Sequence, residues 1–110
     1  MYEYKAYVTK VYDGDTITVD IDLGLGVWLR KQSIRLAGIN APEVRGDSKY
    51  LGYASRDALS ELILDKEVKI KTYKSKRGKY GRWIVDVHKG PIFVNEWLLE
   101  EGFAEVYMPM

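Results

Sequence analysis

Four charged residues spread over three short motifs could carry chemistry in this chain. Asp15 lies in Asp13-Gly14-Asp15-Thr16, Arg35 and Glu43 bracket Arg35-Leu36-Ala37-Gly38-Ile39-Asn40-Ala41-Pro42-Glu43, and Arg82 closes Lys79-Tyr80-Gly81-Arg82. Attack on a phosphodiester needs a hard cation, positive charge to meet the anion that grows in the transition state, and a carboxylate to orient or deprotonate water. Asp15 is the candidate metal ligand. Arg35 and Arg82 are planar, permanently charged forks able to grip a phosphate bidentately, which lysine does less well. Glu43, fixed by the proline before it, is the candidate for holding water and taking its proton. Tyr80, between Lys79 and Arg82, offers a ring to a base or a hydroxyl to a phosphate. Each residue also has a plainer reading, as hairpin turn, strand arginine or loop acid, and it is their coincidence that points to phosphoryl chemistry.

Residues so far apart need a scaffold to bring them together. Tyr4 to Tyr12 alternates and is rich in aromatic and β-branched residues, Asp13-Gly14 signals a turn, and Thr16 to Leu23 alternates again, which predicts a hairpin with Asp15 just past its turn. Gly24-Leu25-Gly26 breaks the second strand. A third runs from about Val27 to Leu36, with Ile34 and Leu36 on one face and Arg35 on the other. Asn40-Ala41-Pro42 ends it, and an irregular segment reaches about Tyr50. From about Gly52 to Leu64 the period becomes helical, with Leu51, Ala54, Ala58 and Leu62 on one face and Leu59 and Ile63 widening it. Val68, Ile70 and Thr72 mark a fourth strand, Lys74 to Gly81 a turn, and Trp83, Val85 and Val87 a fifth. Asn95 is placed to cap a short helix through Leu98, Leu99 and Glu101, Gly102 to stop it, and the last residues to trail along the body. This order predicts an α+β fold, a small antiparallel β-barrel with helices, of the five-stranded oligonucleotide-binding kind.

Composition sets the outer limits. The chain has 110 residues, 46% apolar and 30% charged, the make-up of one globular domain spanning 1–110. No apolar run approaches a membrane span and no signal-peptide pattern follows Met1, so a cytoplasmic protein is expected, or a secreted one if a leader has been removed. The absence of cysteine excludes disulfides, thiolate metal sites and a thiol nucleophile. A net charge of +1 conceals sorting: Lys66 to Arg82 holds eight basic residues against Glu67 alone. That stripe suits a polyanion, or guards a solvated hairpin against edge pairing. His88 has no partner of the kind a triad or a zinc site needs, and is read as structural.

On these motifs the chain resembles the staphylococcal nuclease, or thermonuclease-like, family. Asp-Gly-Asp-Thr, the segment Ile34 to Glu43, the helix containing Ala54, Lys79-Tyr80-Gly81-Arg82 and Val94-Asn95-Glu96 through Gly102-Phe103-Ala104 come in that family's order with similar spacing. The resemblance implies calcium-dependent hydrolysis of DNA and RNA, leaving 3′-phosphates; the expected substrates are single strands first and the expected state is a monomer. It casts Asp15 as the main calcium carboxylate, Arg35 and Arg82 as the phosphate-binding pair, Glu43 as the residue that positions or activates water, and the Ala41 carbonyl as a further metal ligand. Lys79 and Tyr80 resemble residues that contact a terminal phosphate of the nucleotide. The second metal carboxylate of active members is Asn40 here, whose amide keeps an oxygen but drops a negative charge, so weaker calcium binding is expected. The rival reading is a non-catalytic nucleic-acid-binding module on the same barrel, with Asn40 marking a weakened metal site. A protein-interaction domain is the third.

Overall fold

The structure, a computed structural model, describes residues 2–47, 49–77 (backbone only for 74–77) and 82–107. In chain order its elements are β1 (Tyr2–Asp13), β2 (Thr16–Gly24), β3 (Val27–Leu36), β4 (Ile39–Asn40), α1 (Lys49–Ile63), β5 (Glu67–Arg77), β6 (Trp83–Lys89), β7 (Ile92–Phe93), α2 (Val94–Glu100) and β8 (Glu105–Val106). The main sheet runs β3-β2-β1-β5-β6-β7, and a further β3–β6 pairing closes its five long strands into a barrel. Four of the five contacts around that ring are antiparallel, as expected, but β3 and β6 pair in parallel, Ile34 with Trp83, Arg35 with Ile84 and Leu36 with Val85. The reason is parity: direction reverses at every antiparallel contact, so a ring with an odd number of strands must contain a parallel pair.

Alternation fills the interior. Ile17 and Val19 from β2, Ile34 and Leu36 from β3, Ile70 from β5, and Val85 and Val87 from β6 are fully buried. Helix α1 packs on β1 and α2 on β6. The first helix starts at Lys49, three residues before the predicted position, and its buried stripe is Gly52, Ser55, Leu59 and Ile63. The predicted face was rotated, since Leu51 and Ala54 are exposed. The Glu43 backbone comes too near Gly52 for a side chain there, and Ser55 lies against Gly14, so counting apolar residues misplaces the face.

Asn95 does not cap α2. Phe93 holds the N-cap position without a side-chain hydrogen bond. The Asn95 amide is buried instead, and a buried amide must find partners. Its Oδ1 accepts from Val87 N (2.9 Å), and its Nδ2 donates to the carbonyls of Ala37 (2.9 Å) and Val85 (3.2 Å). Ala37 N also donates to Val85 O at 2.8 Å. Asn95 therefore staples the end of β3 to β6 where the barrel closes. The chain's last described residues do not trail either: β8 pairs with β4, Ile39 with Val106 and Asn40 with Glu105, and Tyr107 N donates to Gly38 O at 2.9 Å. No described helix is long and apolar enough to cross a membrane.

Replacing Asn95 with alanine strands one buried N–H and weakens two carbonyls at the seam. Urea denaturation should show a loss of about 2–3 kcal/mol. A loss below about 0.5 kcal/mol, the size of an ordinary surface change, would show that the staple carries no weight.

Candidate functional site

A cleft of about 590 Å³ lies over the β1–β2 turn, and Asp15, Arg35, Asn40, Ala41, Glu43 and Arg82 all line it. Six residues from four stretches of sequence thus meet in one place. Lys79 and Tyr80 lie outside the described residues.

Asp15 is the hub. It was expected just past the turn, but Gly14-Asp15 is itself the two-residue turn, and Asp15 is only 4% exposed. A buried carboxylate must spend its oxygens on donors. Oδ2 accepts from Ala41 N at 2.8 Å, while Oδ1 faces Arg35 Nη1 at 3.0 Å and accepts from Thr16 Oγ1 at 3.0 Å. The backbone carbonyl of Asp15 accepts from Leu36 N at 2.8 Å. Arg35 is held further through Nη2, which donates to Ile39 O (3.0 Å) and Asn40 Oδ1 (3.3 Å), and its guanidinium sits 5.5 Å from the centre of the Tyr107 ring. On the far side, Arg82 Nη1 donates to Thr16 Oγ1 at 3.3 Å. One unbroken path therefore joins the two guanidiniums: Arg35, the Asp15 carboxylate, the Thr16 hydroxyl, Arg82. Thr16 was visible in its motif, but nothing in the sequence shows that its hydroxyl bridges the pair.

Asp13 completes the turn, its Oδ1 accepting from Asp15 N at 3.0 Å. Its carboxyl is pushed up to about 6, first by burial and then by the Asp15 carboxyl beside it. Glu43 stands at the exposed rim, one residue after Pro42.

Helix α1 packs closely against the segments that carry the cleft residues. A Cβ on Gly14 would lie 1.9 Å from Ser55 Oγ and 2.7 Å from Ala41 Cβ, and one on Gly52 would lie 2.0 Å from the Glu43 carbonyl oxygen. Gly14 is not among the glycines with positive φ, so packing and not turn geometry demands it. Ser55 Oγ donates to Phe103 O at 2.8 Å, which ties the same helix to the segment after α2.

The donor chemistry suits a hard cation. Asp15 Oδ1 and Asn40 Oδ1, from separate segments, converge on one guanidinium, and the carboxylates of Asp13 and Glu43 line the same cleft. Oxygen donors without nitrogen or sulfur match calcium or magnesium. Among the described residues no three His, Cys, Asp or Glu side chains cluster as a metal site, so an ion here would depend on the Asn40 amide and backbone oxygen as well as on Asp15.

The basic stripe contributes less than its charge suggests. Lys69 and Lys71 line a separate groove with Glu3 and Glu67, Lys71 pairs with Glu3 at 3.4 Å, and Lys66 Nζ donates to Glu61 O at 3.2 Å. Of the stripe's described side chains, Arg82 alone lines the cleft. Besides Arg35, the cleft's other cations are Lys10 and Arg45, which sequence reasoning passed over. His88 stacks on Phe93 with ring centres 4.7 Å apart, in keeping with a structural role.

Comparison with known proteins gives a match to the staphylococcal nuclease homologue family over residues 33–110. A probable staphylococcal-like nuclease of Oryza sativa subsp. japonica is 38% identical over 74% of this chain and 15% of its own length. The thermonuclease of Staphylococcus hyicus is 31% identical over 88% of this chain and 56% of its own length. An uncharacterized protein of Methanocaldococcus jannaschii is 31% identical over 96% of this chain and 60% of its own length. The chain thus spans between 15% and 60% of these relatives.

Gly52→Ala should separate helix propensity from packing. Alanine favours an exposed helix by about 1 kcal/mol, yet here its methyl must displace the Glu43 backbone, so a net loss of about 1–2 kcal/mol in thermal or chemical unfolding is expected. A more stable variant would contradict the close contact.

Proposed function

We propose, because the chain belongs to the staphylococcal nuclease family, that it is a calcium-dependent nuclease hydrolysing the phosphodiester bonds of DNA and RNA, single strands above all, as a monomer. The observation that carries this reading is the path from Arg35 through Asp15 and Thr16 to Arg82, which fixes two guanidiniums around one cleft. Asp15, Asn40 and the Ala41 carbonyl are the proposed holders of calcium. When bound, the ion would supply Lewis-acid polarisation of the phosphoryl oxygen.

The chain's own residues do the rest. The guanidinium of Arg35, pinned by Asp15, Ile39 and Asn40, turns its remaining donors toward a phosphate without first losing side-chain entropy. Arg82 meets the same anion from the β6 side. Glu43 holds water in line with the bond to be broken and takes its proton as oxygen attacks phosphorus, and as the P–O bond breaks the departing sugar oxygen takes a proton from solvent in the open cleft and leaves as a hydroxyl. The charge that builds on the equatorial oxygens then faces cations already in place, which is where most electrostatic catalysis arises.

One observation favours the rival of a non-catalytic binding module: Asp15 is the sole charged member of the proposed ligand set, and its Oδ1 is shared with Arg35. Hydrolysis distinguishes the two. Purified protein incubated with single-stranded DNA and RNA across a calcium titration should cleave both, and a chelator should stop it. Arg82→Ala and Arg35→Ala should slow cleavage about a hundredfold or more, with Arg82→Ala the cleaner case because it leaves Asp15 paired. Binding without turnover at any calcium concentration would support the module.

Asn40→Asp restores a charge to the proposed ligand set and should reach half-maximal activity at lower calcium. An unchanged calcium requirement would remove Asn40 from the site.

A further inference from the structure

We propose that Lys10 and Tyr12 form a nucleotide subsite on β1, where Lys10 binds a phosphate and Tyr12 stacks a base next to the phosphate gripped by Arg35 and Arg82. The inference rests on the nuclease reading of that cleft and assigns it a substrate contact that none of the four motif residues supplies.

Strand register carries the argument. Pairing of β1 with β2 steps from Val8↔Val19 to Lys10↔Thr18, and from Val11↔Ile17 to Asp13↔Thr16, so Thr9 and Tyr12 are each an extra residue without a partner. Two bulges fall within the last five residues of the strand, beside the cleft. Strict alternation would send Val8 and Val11 to opposite faces; the insertion at Thr9 turns both inward, at 0% and 8% exposure. Lys10 and Tyr12 are thereby aimed outward, and both line the cleft with Thr18 and Ser33. Bulges beside active sites commonly re-aim side chains in this way.

The chemistry of the pair suits an unpaired nucleotide. Tyr12 keeps 46% of its surface exposed, a large ring held at the rim of a polar, cation-bearing cleft. A ring in that setting stacks on any base whose face is free, and an ammonium two residues away meets the next backbone phosphate. Bases in a duplex are already stacked and offer no such face. Tyr12 therefore adds discrimination for single strands where the arginines, which read phosphate alone, add none.

The test uses the full chain and a single-stranded DNA carrying 2-aminopurine, with chelator present so that binding is read without turnover. The parent should quench the fluorescent base and Tyr12→Phe should match it. Tyr12→Leu should lose the quench and bind about five- to a hundredfold more weakly, the range expected for one lost stacking contact. A blunt duplex should bind parent and Tyr12→Leu alike. Lys10→Met should lower the slope of log K against log salt by about 0.7, the value for one phosphate contact on a single strand. Quenching and affinity unchanged in Tyr12→Leu would overturn the subsite while leaving hydrolysis by the parent intact. Conversely, a parent that quenches through Tyr12 but cleaves nothing when calcium replaces the chelator would keep the subsite and end the nuclease reading.

Discussion

A single buried negative charge organises this molecule's functional end. Asp15 sits in the two-residue β1–β2 turn, almost wholly buried, and an ionised carboxylate in that position is tolerated only when its oxygens face donors or cations. The donors that meet it come from the next residue, from β3 and from the segment leading to Pro42. Satisfying one carboxylate therefore fixes the relative placement of three pieces of chain. Arg35, the cation that balances the charge, is in turn pinned by Ile39 and Asn40, so the electrostatic requirement of a buried acid and the positioning of a phosphate ligand are met by one set of bonds.

Packing supplies the second constraint. Close approach between α1 and the turn below it leaves no room for side chains at Gly14 or Gly52, and a hydroxyl at Ser55 replaces what would elsewhere be an apolar residue. A helix that merely filled the core would bury leucine at these positions. This one gives up some apolar burial at its first turns, where Gly52 lies against the Glu43 backbone and Ser55 against Gly14, and recovers it at Leu59 and Ile63 further along. Precision at the site and stability of the core are thus divided along one helix.

Much of this was legible in the chain. The five long strands, both helices and the barrel class follow from period-2 and period-3.6 patterns, because burial on one face is what those periods record. The gathering of Asp15, Arg35, Glu43 and Arg82 was legible from residue chemistry. What escaped was whatever depends on long-range closeness. Asn95 reads as a helix cap by position, and only the folded chain shows that Ala37, Val85 and Val87 surround its amide. Leu51 and Ala54 read as core, yet Gly52 and Ser55 are the buried pair. The bulges at Thr9 and Tyr12 are invisible in one sequence because a bulge exists only relative to the partner strand. The parallel closure follows from counting strands, and could have been deduced once a five-membered ring was expected.

That closure also has a thermal meaning. Three residue pairs and the Asn95 amide hold β3 to β6, whereas neighbouring contacts in the barrel run over longer registers. Arg35 lies on one lip of this short join and Arg82 just before the other. Parting of the lips would separate the two guanidiniums while the β1–β2 hairpin kept its hydrogen bonds, since local opening follows the weakest cooperative unit. On warming, the grip on an anion would thus fail before bulk β-structure melts, and a bound polyanion bridging both lips would act as a clasp that raises the temperature of that first event.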